Sequence, residues 1–193
     1  MQALIPITGQ RVLLRAMRSS DITAQHVAWL NDPQVVRFSN QRFTQHTLDT
    51  CLRYHASFEG SANIYASARL LVSNQAIGTL TAYRNLQHGT ADIGILMGER
   101  SFWGQGLGTE AFTLLADWLA TLPGMRKLTC GMLACNHGML ALAQRAGFAR
   151  EAVRVGQELV DGQAVDLVYF ARFCAAPGPG LGLGLGLGDA ARP

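Results

Sequence analysis

The sequence predicts an α/β fold built around one mixed sheet. Strand-like and helix-like runs alternate through residues 1–174, and a glycine-rich turn joins a strand-like run directly to a helix-like run. The expected order is β-α-α-β-β-β-α-β-α-β-β, about seven strands with helices on both faces. The length of 193 residues and the 49% share of hydrophobic residues fit a single domain with a real core.

The first half of the chain predicts a strand, two helices and three more strands. Ser20 and Asp21 offer an N-cap to the first helix, and Pro33 stops that helix near residues 31–32. Thr47 begins the second helix. The predicted strands are residues 11–16, 64–72, 76–83 and 91–98, the middle two joined by a turn at residues 73–75.

The second half predicts two helices and three strands. The longer helix, residues 109–120, carries an apolar stripe made by Phe112, Leu115, Trp118, Leu119 and Leu122. The other elements are a strand at 127–134, a helix at 137–145 stopped by Gly147, and strands at 150–160 and 163–173 flanking the hairpin signal Asp161-Gly162.

The turn Trp103-Gly104-Gln105-Gly106-Leu107-Gly108-Thr109 is the most informative segment. Its glycines leave backbone N–H groups uncovered where a helix begins, and such a terminus attracts phosphate. No lysine follows, as a Walker A loop would need, and the glycine spacing differs from a dinucleotide fingerprint. A tight turn without any ligand is the alternative.

Asn136 and the block Ala146-Gly147-Phe148 follow the turn at a distinctive distance. With the strand, turn and helix before them, these motifs resemble the GCN5-related N-acetyltransferase (GNAT) superfamily over residues 11–173, in the branch of ribosomal-protein and small-molecule acetyltransferases. The resemblance implies one domain at residues 1–174 and acetyl-coenzyme A as cosubstrate. It implies that the turn holds the pyrophosphate, while the preceding strand and the asparagine contact the pantetheine arm. The implied cofactor residues are Leu96, Met97, Gly98, Gly104, Gln105, Gly106, Leu107, Gly108, Thr109 and Asn136.

Acetyl transfer to an amine needs a neutral amine, although an alkyl amine is mostly protonated at pH 7. Asp92 is the candidate general base, because it lies on the strand before the turn, where some relatives carry a catalytic glutamate. A structural pairing of Asp92 with an arginine or a backbone turn is the alternative. Glu99 is a weaker candidate base.

The general acid stays unassigned. Relatives carry tyrosine or serine at positions that are Ala143 and Met139 in this chain, and a glutamate where it has Gly131. Trp103 replaces the usual arginine or glutamine, and we expect it to pack beneath the loop. Glu110 in the first helical turn would compete with phosphate, so we expect it to point away from the site.

The acceptor is less defined. The segment from Trp29 to Phe38 resembles one in small-molecule acetyltransferases, and it suggests Asn31 and Arg37 as substrate-binding residues. A nucleotide-linked amino sugar would suit Arg37, Arg42 and His46, unless these are only solvated loop residues. A protein N-terminus is a competing acceptor, and a non-catalytic acyl-coenzyme A-binding module is the alternative from another class.

The composition narrows the classes of partner and compartment that remain. The net charge of +3 comes from scattered basic residues, so no nucleic-acid surface is expected. The four cysteines lack metal-ligand spacing, and we expect reduced thiols and no metal. No signal peptide or membrane span is evident, which predicts a cytoplasmic protein. A homodimer is possible. Residues 175–193, rich in glycine, leucine and proline, are expected to be a disordered tail.

Overall fold

The computed structural model describes residues 4–174, and the expected tail at 175–193 lies outside these described residues. The strands are β1 (Ile7–Thr8), β2 (Val12–Ala16), β3 (Ile64–Leu70), β4 (Ala76–Asn85), β5 (Thr90–Leu96), β6 (Lys127–Leu133), β7 (Ala149–Val160) and β8 (Gln163–Phe173). The helices are α1 (Ala24–Asn31), α2 (Leu48–Ala56), α3 (Leu107–Ala120) and α4 (His137–Arg145). The predicted order is confirmed, with β1 as an additional strand of two residues that carries too little pattern to be recognised in sequence.

The start of α1 differs from the prediction. Thr23, and not Ser20 or Asp21, is the N-cap, and its side chain accepts a hydrogen bond from the backbone N–H of His26. Residues Ser19–Asp21 form a separate 3₁₀ turn. The Asp21 carboxylate instead accepts hydrogen bonds from the Arg15 guanidinium, with two N–O distances of 2.6 Å, and from the backbone N–H of Arg18 at 2.9 Å.

The eight strands form one sheet in the order β1-β2-β3-β4-β5-β6-β8-β7. Neighbouring strands are antiparallel except for β5 and β6, which are parallel. Their pairing covers only Thr90–Asp92 against Lys127–Thr129, so residues 93–96 and 130–133 separate. The two strands therefore open a wedge in the middle of the sheet, which we call the splay.

Helices cover both faces of the sheet, because side chains alternate along each strand. On β3, Ala66 belongs to the larger core, which contains Phe112 and Leu115 of α3. Its neighbour Tyr65 belongs to a smaller core with Cys51 of α2. We call these the α3 face and the α2 face; the splay lies between them.

Candidate active site

A groove of about 510 Å³ runs from the splay to the start of α3. One wall is the end of β5 with the glycine-rich turn, and the other is α4. The lining includes seven residues that the sequence predicted for the cofactor: Leu96, Met97, Gly104, Gly106, Gly108, Thr109 and Asn136. These residues, spread over 41 positions of the chain, are therefore brought to one surface.

The glycine-rich turn needs two glycines for its backbone. Gly104 and Gly106 have φ angles of 74° and 80°, in the left-handed region that favours glycine. Gly106 is the N-cap of α3 and supplies no side-chain cap, so the first N–H groups of a 14-residue helix remain available. This end of the groove fits an anion, as a pyrophosphate would require.

Arg11, the residue directly before β2, stabilises the same turn. Its guanidinium Nη1 donates a hydrogen bond of 3.0 Å to the carbonyl oxygen of Gln105. The Glu110 carboxylate accepts hydrogen bonds from the backbone N–H groups of Arg11 and Val12, at 2.7 Å and 3.1 Å. The prediction that Glu110 points away from the site is confirmed, because its charge is directed at β2.

Three of the predicted cofactor residues lie beside the groove without lining it. The backbone N–H of Gly98 donates to the Ile77 carbonyl at 3.0 Å, and a side chain at Gly98 would overlap the Trp29 indole. Leu107 is buried in the core. The Gln105 side chain donates to the Ser101 carbonyl at 2.9 Å, so it shapes the turn.

Asn136 and Trp103 lie on opposite sides of the groove. The Asn136 side chain accepts a hydrogen bond of 3.1 Å from the Met139 N–H and so caps α4. Trp103 is 42% exposed, which corrects the expectation that it packs beneath the loop. Its Nε1 donates to the Met97 carbonyl at 2.8 Å, and this bond holds the indole at the groove surface.

A smaller cavity of about 290 Å³ lies on the α2 face. It shares Ser39, Ile95 and Leu96 with the groove, so the two spaces meet at the end of β5. Most of the cavity surface is apolar, although nine of its other lining residues carry a hydroxyl, amide or imidazole group. These other lining residues are His26, Leu30, Gln41, Thr44, His46, Thr50, Cys51, Tyr54, Tyr65, Thr79, Thr81 and Gly94. No lysine, arginine or carboxylate side chain belongs to this lining in the described residues.

His26 is the most deeply buried polar group of the cavity, at 3% exposure. Its Nε2 lies 3.3 Å from the Tyr65 hydroxyl. Burial, with a smaller contribution from nearby His46, lowers the pKa of His26 to about 4. Burial also raises the pKa of Tyr54, whose hydroxyl lies 2.7 Å from that of Tyr83. These groups are therefore neutral hydrogen-bonding groups near pH 7.

The predicted acceptor residues Asn31 and Arg37 lie outside the cavity lining. Asn31 holds the cavity wall, because its side chain makes two hydrogen bonds of 2.9 Å to the backbone N–H and carbonyl of His46. Arg37 lines an adjoining hollow of about 390 Å³ with Arg42. That hollow shares Leu30, Gln41 and Thr44 with the cavity.

Asp92 lies at the last pair of β5 and β6, where the splay opens. Its Oδ2 accepts a hydrogen bond of 2.7 Å from the Thr129 hydroxyl. Asp92 is open to solvent on one side, but desolvation by the surrounding protein still raises its pKa, and the hydrogen bond from Thr129 opposes this shift. No arginine pairs with Asp92 within the described chain.

Gly94 connects Asp92 with the cavity. The two residues face the same side of β5, two positions apart, and Gly94 lines the cavity whereas Asp92 does not. A Cβ on Gly94 would lie 2.8 Å from the Thr81 hydroxyl, so glycine keeps this passage open. Glu99 lines neither space and accepts a hydrogen bond of 2.9 Å from the Ser101 hydroxyl.

Sequence reasoning did not identify the tyrosines and His26 as cavity residues. The only available signal was the helical spacing of His26 with Trp29. This spacing indicates that one face of the helix is buried, but it does not indicate that the face lines a cavity. The cavity forms from α1, α2, β3, β4 and β5 together, and no local pattern records that assembly.

Two further findings concern residues 4–174 alone. No group of three or more histidine, cysteine, aspartate or glutamate residues is arranged to hold a metal ion. Among the helices of this range, none combines the length and the apolar character needed to cross a membrane.

Comparison with known proteins agrees with this geometry. Residues 11–149 match the family model described as the acetyltransferase (GNAT) domain. No curated protein matches the sequence. Among solved structures, a GNAT-family acetyltransferase from Bacillus anthracis superposes with a TM-score of 0.74 at 16% identity, covering 88% of this chain and 98% of that one.

Two other solved structures have named substrates. The ribosomal-protein-S5-alanine acetyltransferase from Vibrio fischeri has a TM-score of 0.77 at 14% identity, with 91% of this chain and 100% of that chain covered. The spermidine N-acetyltransferase from Vibrio cholerae, in complex with coenzyme A and spermine, has a TM-score of 0.75 at 16% identity, covering 86% and 97%. At these identities the likeness concerns the fold. The family model, however, covers most of the chain, and this protein therefore belongs to the GNAT acetyltransferase family, whose cosubstrate is acetyl-coenzyme A.

Proposed function

We propose that this acetyltransferase transfers the acetyl group to the primary amine of a small hydroxylated molecule such as an amino sugar. The observation that carries the proposal is the 290 Å³ cavity, which meets the groove at Ile95 and Leu96. Its volume lies at the low end for ligand sites, which favours an acceptor about the size of a monosaccharide. Its hydroxyl, amide and imidazole groups suit a ligand with several hydroxyls.

The same lining disfavours a polyamine. A polyamine carries at least two ammonium groups at neutral pH, and only the reacting one becomes neutral. The others would enter a space whose described lining offers no carboxylate, and an unpaired buried charge is costly. The spermidine enzyme shares the fold with this chain, but a polyamine acceptor does not suit the cavity found here.

Catalysis in this proposal uses Asp92 as general base. In this proposal acetyl-coenzyme A lies in the groove with its phosphates at the start of α3, and the thioester enters the splay from the α3 face. The acceptor amine approaches from the cavity on the α2 face. Asp92 takes the amine proton through water in the passage beside Gly94, because the two residues are about 7 Å apart along the strand. A raised pKa makes its carboxylate a better base.

Arg37 is assigned to a phosphate on the acceptor. The Arg42 guanidinium already donates to the Leu159 carbonyl at 3.1 Å and lies 3.8 Å from Glu158. Arg37 has no carboxylate within salt-bridge distance in the described chain. The lining of the hollow combines Arg37 and Arg42 with the carboxylate of Asp161, so positive charge is in excess there. The hollow therefore suits a nucleotide-linked amino sugar, whose sugar would occupy the cavity.

The test is thiol release from acetyl-coenzyme A with a panel of amines, with the product identified by mass spectrometry. The panel contains glucosamine, a uridine-diphosphate amino sugar, spermidine and short peptides beginning with alanine or serine. We expect saturable activity with an amino sugar and little with spermidine. Turnover of the peptides alone would replace the proposal with N-terminal acetylation.

Variants connect the activity to the cavity. Thr81→Val keeps the shape of a cavity residue within strand β4 but removes its hydroxyl, and we expect a severalfold rise in the acceptor KM. Thr8→Val makes the same change on the exposed edge strand β1 and should leave the KM unchanged. If Thr81→Val behaves like Thr8→Val for every acceptor, the cavity does not bind the acceptor.

A further inference from the structure

Gly131 occupies a special place on the far wall of the splay. It lies on β6 two residues beyond Thr129, the last residue paired with β5. Its neighbours Cys130 and Met132 point into the larger core, so Gly131 faces the α2 side, as Asp92 does on the opposite wall. Because glycine has no side chain, β6 presents only its backbone to the splay at position 131.

Tyr169 fills the space above Gly131. The two residues are paired across β6 and β8, and Tyr169 faces the α2 side because Val168 and Phe170 point into the larger core. A Cβ on Gly131 would lie 3.2 Å from Cε1, 3.4 Å from Cδ1 and 3.8 Å from Cζ of the Tyr169 ring. The Cδ1–Cε1 edge of the ring thus covers Gly131.

This position gives the direction of the phenol. The ring starts on β8 and its Cδ1–Cε1 edge lies over Gly131 of β6, so it leans from β8 in the direction of β5, and from this lean we take the hydroxyl to face the splay. The guanidinium of Arg154, on β7, lies 5.1 Å from the ring centre. A cation over the face of a tyrosine is attracted to it, and this contact holds the ring from the side away from the splay.

We propose that the Tyr169 hydroxyl binds the acceptor amine and orients it for attack. This inference rests on the proposed function, in which the amine meets the thioester in the splay. A phenol oxygen can accept a hydrogen bond from an amine N–H, and this bond directs the nitrogen lone pair at the thioester carbonyl. Glycine at position 131 is needed for this arrangement, because a side chain there would displace the Tyr169 ring.

Protons and electrons balance without any change in the charge of Tyr169. The amine nitrogen forms a bond to the acetyl carbon, and the carbon–sulfur bond breaks with its electron pair leaving on sulfur. Asp92 receives the first proton from the acceptor ammonium through water, and after the attack a second proton leaves the nitrogen and reaches the thiolate through solvent. The third N–H stays on the nitrogen and becomes the amide N–H that Tyr169 held.

The first test is Tyr169→Phe, which removes the oxygen and keeps the ring over Gly131. With glucosamine as the probe acceptor, we expect kcat/KM for the acceptor to fall at least tenfold. The melting temperature and the affinity for coenzyme A, measured by calorimetry, should match those of the parent protein. Unchanged kcat/KM, or a loss that follows a weaker coenzyme A affinity, would overturn the proposal.

A second variant moves the phenol without removing it. In Gly131→Ala the new methyl group would lie 3.2 Å from Cε1 of Tyr169, so the ring must shift. We expect a loss of acceptor kcat/KM in this variant that largely disappears in the Tyr169→Phe background, because the hydroxyl is then already absent. Additive losses in the double variant would contradict the proposal. If the parent protein acetylates a peptide and not glucosamine, the same variants are measured with that peptide, so failure of the acceptor assignment is distinguished from failure of this inference.

Discussion

At the scale of single residues, Asp92 combines a raised pKa with a position at the mouth of the splay. Its hydrogen bond from Thr129 joins β5 to β6, and no charged side chain pairs with it in the described chain, so we expect the fold to tolerate the loss of its charge. A carboxylate that is not needed for stability, placed where two strands separate, is a good candidate for a role in proton transfer.

Replacement of Asp92 by asparagine tests that role. If Asp92 takes the acceptor proton, Asp92→Asn should lower turnover by roughly 10² to 10⁴. The deficit should shrink as the pH rises from 6 to 10, because more of the acceptor then arrives already neutral. The measurement is the pH–rate profile beside a melting curve. Asp49→Asn, a change at an exposed surface pair with Arg53, is the control.

A different pattern would indicate a structural aspartate. Asp92→Asn would then melt at a lower temperature, and its residual activity would follow the folded fraction without rescue at high pH. A stable and fully active variant would exclude Asp92 as the base. A mechanism that relies on positioning alone would be the better account.

His26 makes the stability of the cavity depend on pH. Its pKa is about 4 in the folded chain, below the ordinary value of 6.5. The unfolded chain therefore binds a proton between these values that the folded chain does not. Stability is fully present above pH 6.5 and declines as the pH falls toward 4, by roughly 3 kcal/mol.

Chemical denaturation at pH 7.5, 6 and 5 measures this linkage. His26→Gln should lower the overall stability and flatten the dependence on pH, because the titrating group is absent. The readout is the slope of the unfolding free energy against pH, which does not depend on how stable the variant is at any one pH. An unchanged slope in His26→Gln would show that other groups cause the acid loss.

At the scale of elements, the glycine-rich turn and α3 act as one unit. Gly106 begins the helix in a left-handed conformation, Arg11 holds the Gln105 carbonyl, and the apolar side of α3 is buried in the larger core. The direction of the helix start is therefore fixed by packing, and the turn only has to leave the N–H groups uncovered.

Gly106→Val should weaken coenzyme A binding at least tenfold, about 1.4 kcal/mol. The added Cβ would lie 3.4 Å from the Arg11 guanidinium and valine disfavours the φ angle of 80°, so the turn must change shape. Gly162→Val is the matched control, because Gly162 also has a φ of 80°, nothing within 4 Å of its Cβ position, and a place in the β7–β8 hairpin. Calorimetric titration of both folded variants separates backbone strain from lost binding. Equal affinities would mean that the turn is only structural.

The elements were predictable from sequence where the signal is local. The bounds of α4 and β8 were predicted correctly, because Asn136 and Gly147 mark the helix ends and Asp161-Gly162 has the two positive φ angles of a tight hairpin. The start of α1 was predicted wrongly, because the Asp21 carboxylate pairs with Arg15. Capping rules consider only the residues next to the helix start, so they do not include such a partner. The cavity could not be predicted, since its walls come from five elements.

At the scale of the whole molecule, the sheet separates two cores of unequal size. The larger core joins α3, α4 and both splay strands, whereas the smaller core consists of Met17, Ile22, Cys51 and Tyr65 with a few partly buried neighbours. The proposed cosubstrate groove is therefore supported by the larger core, and the proposed acceptor cavity is supported by the smaller one. Under this assignment the acceptor side can change without loss of the cosubstrate site.

The unequal cores predict unequal local stability. Amides of α2 should exchange with solvent through local openings, at a lower free energy than those of β4 and β5, because fewer buried apolar contacts hold α2. Native-state hydrogen exchange measures both sets in one experiment. Coenzyme A should protect the start of α3 and leave α2 unchanged, whereas an acceptor that fills the cavity should slow exchange in α2.

Matched truncations provide a second measurement of the same division. Phe112→Ala, a change at a fully buried residue of the larger core, should lower the global free energy of unfolding by about 3–5 kcal/mol. Phe58→Ala, at the edge of the smaller core, should cost less and should raise the acceptor KM more than it weakens coenzyme A binding. If α2 exchanges only through global unfolding, at the same free energy as β5, the two sides of the sheet form one cooperative unit and the proposed division is wrong.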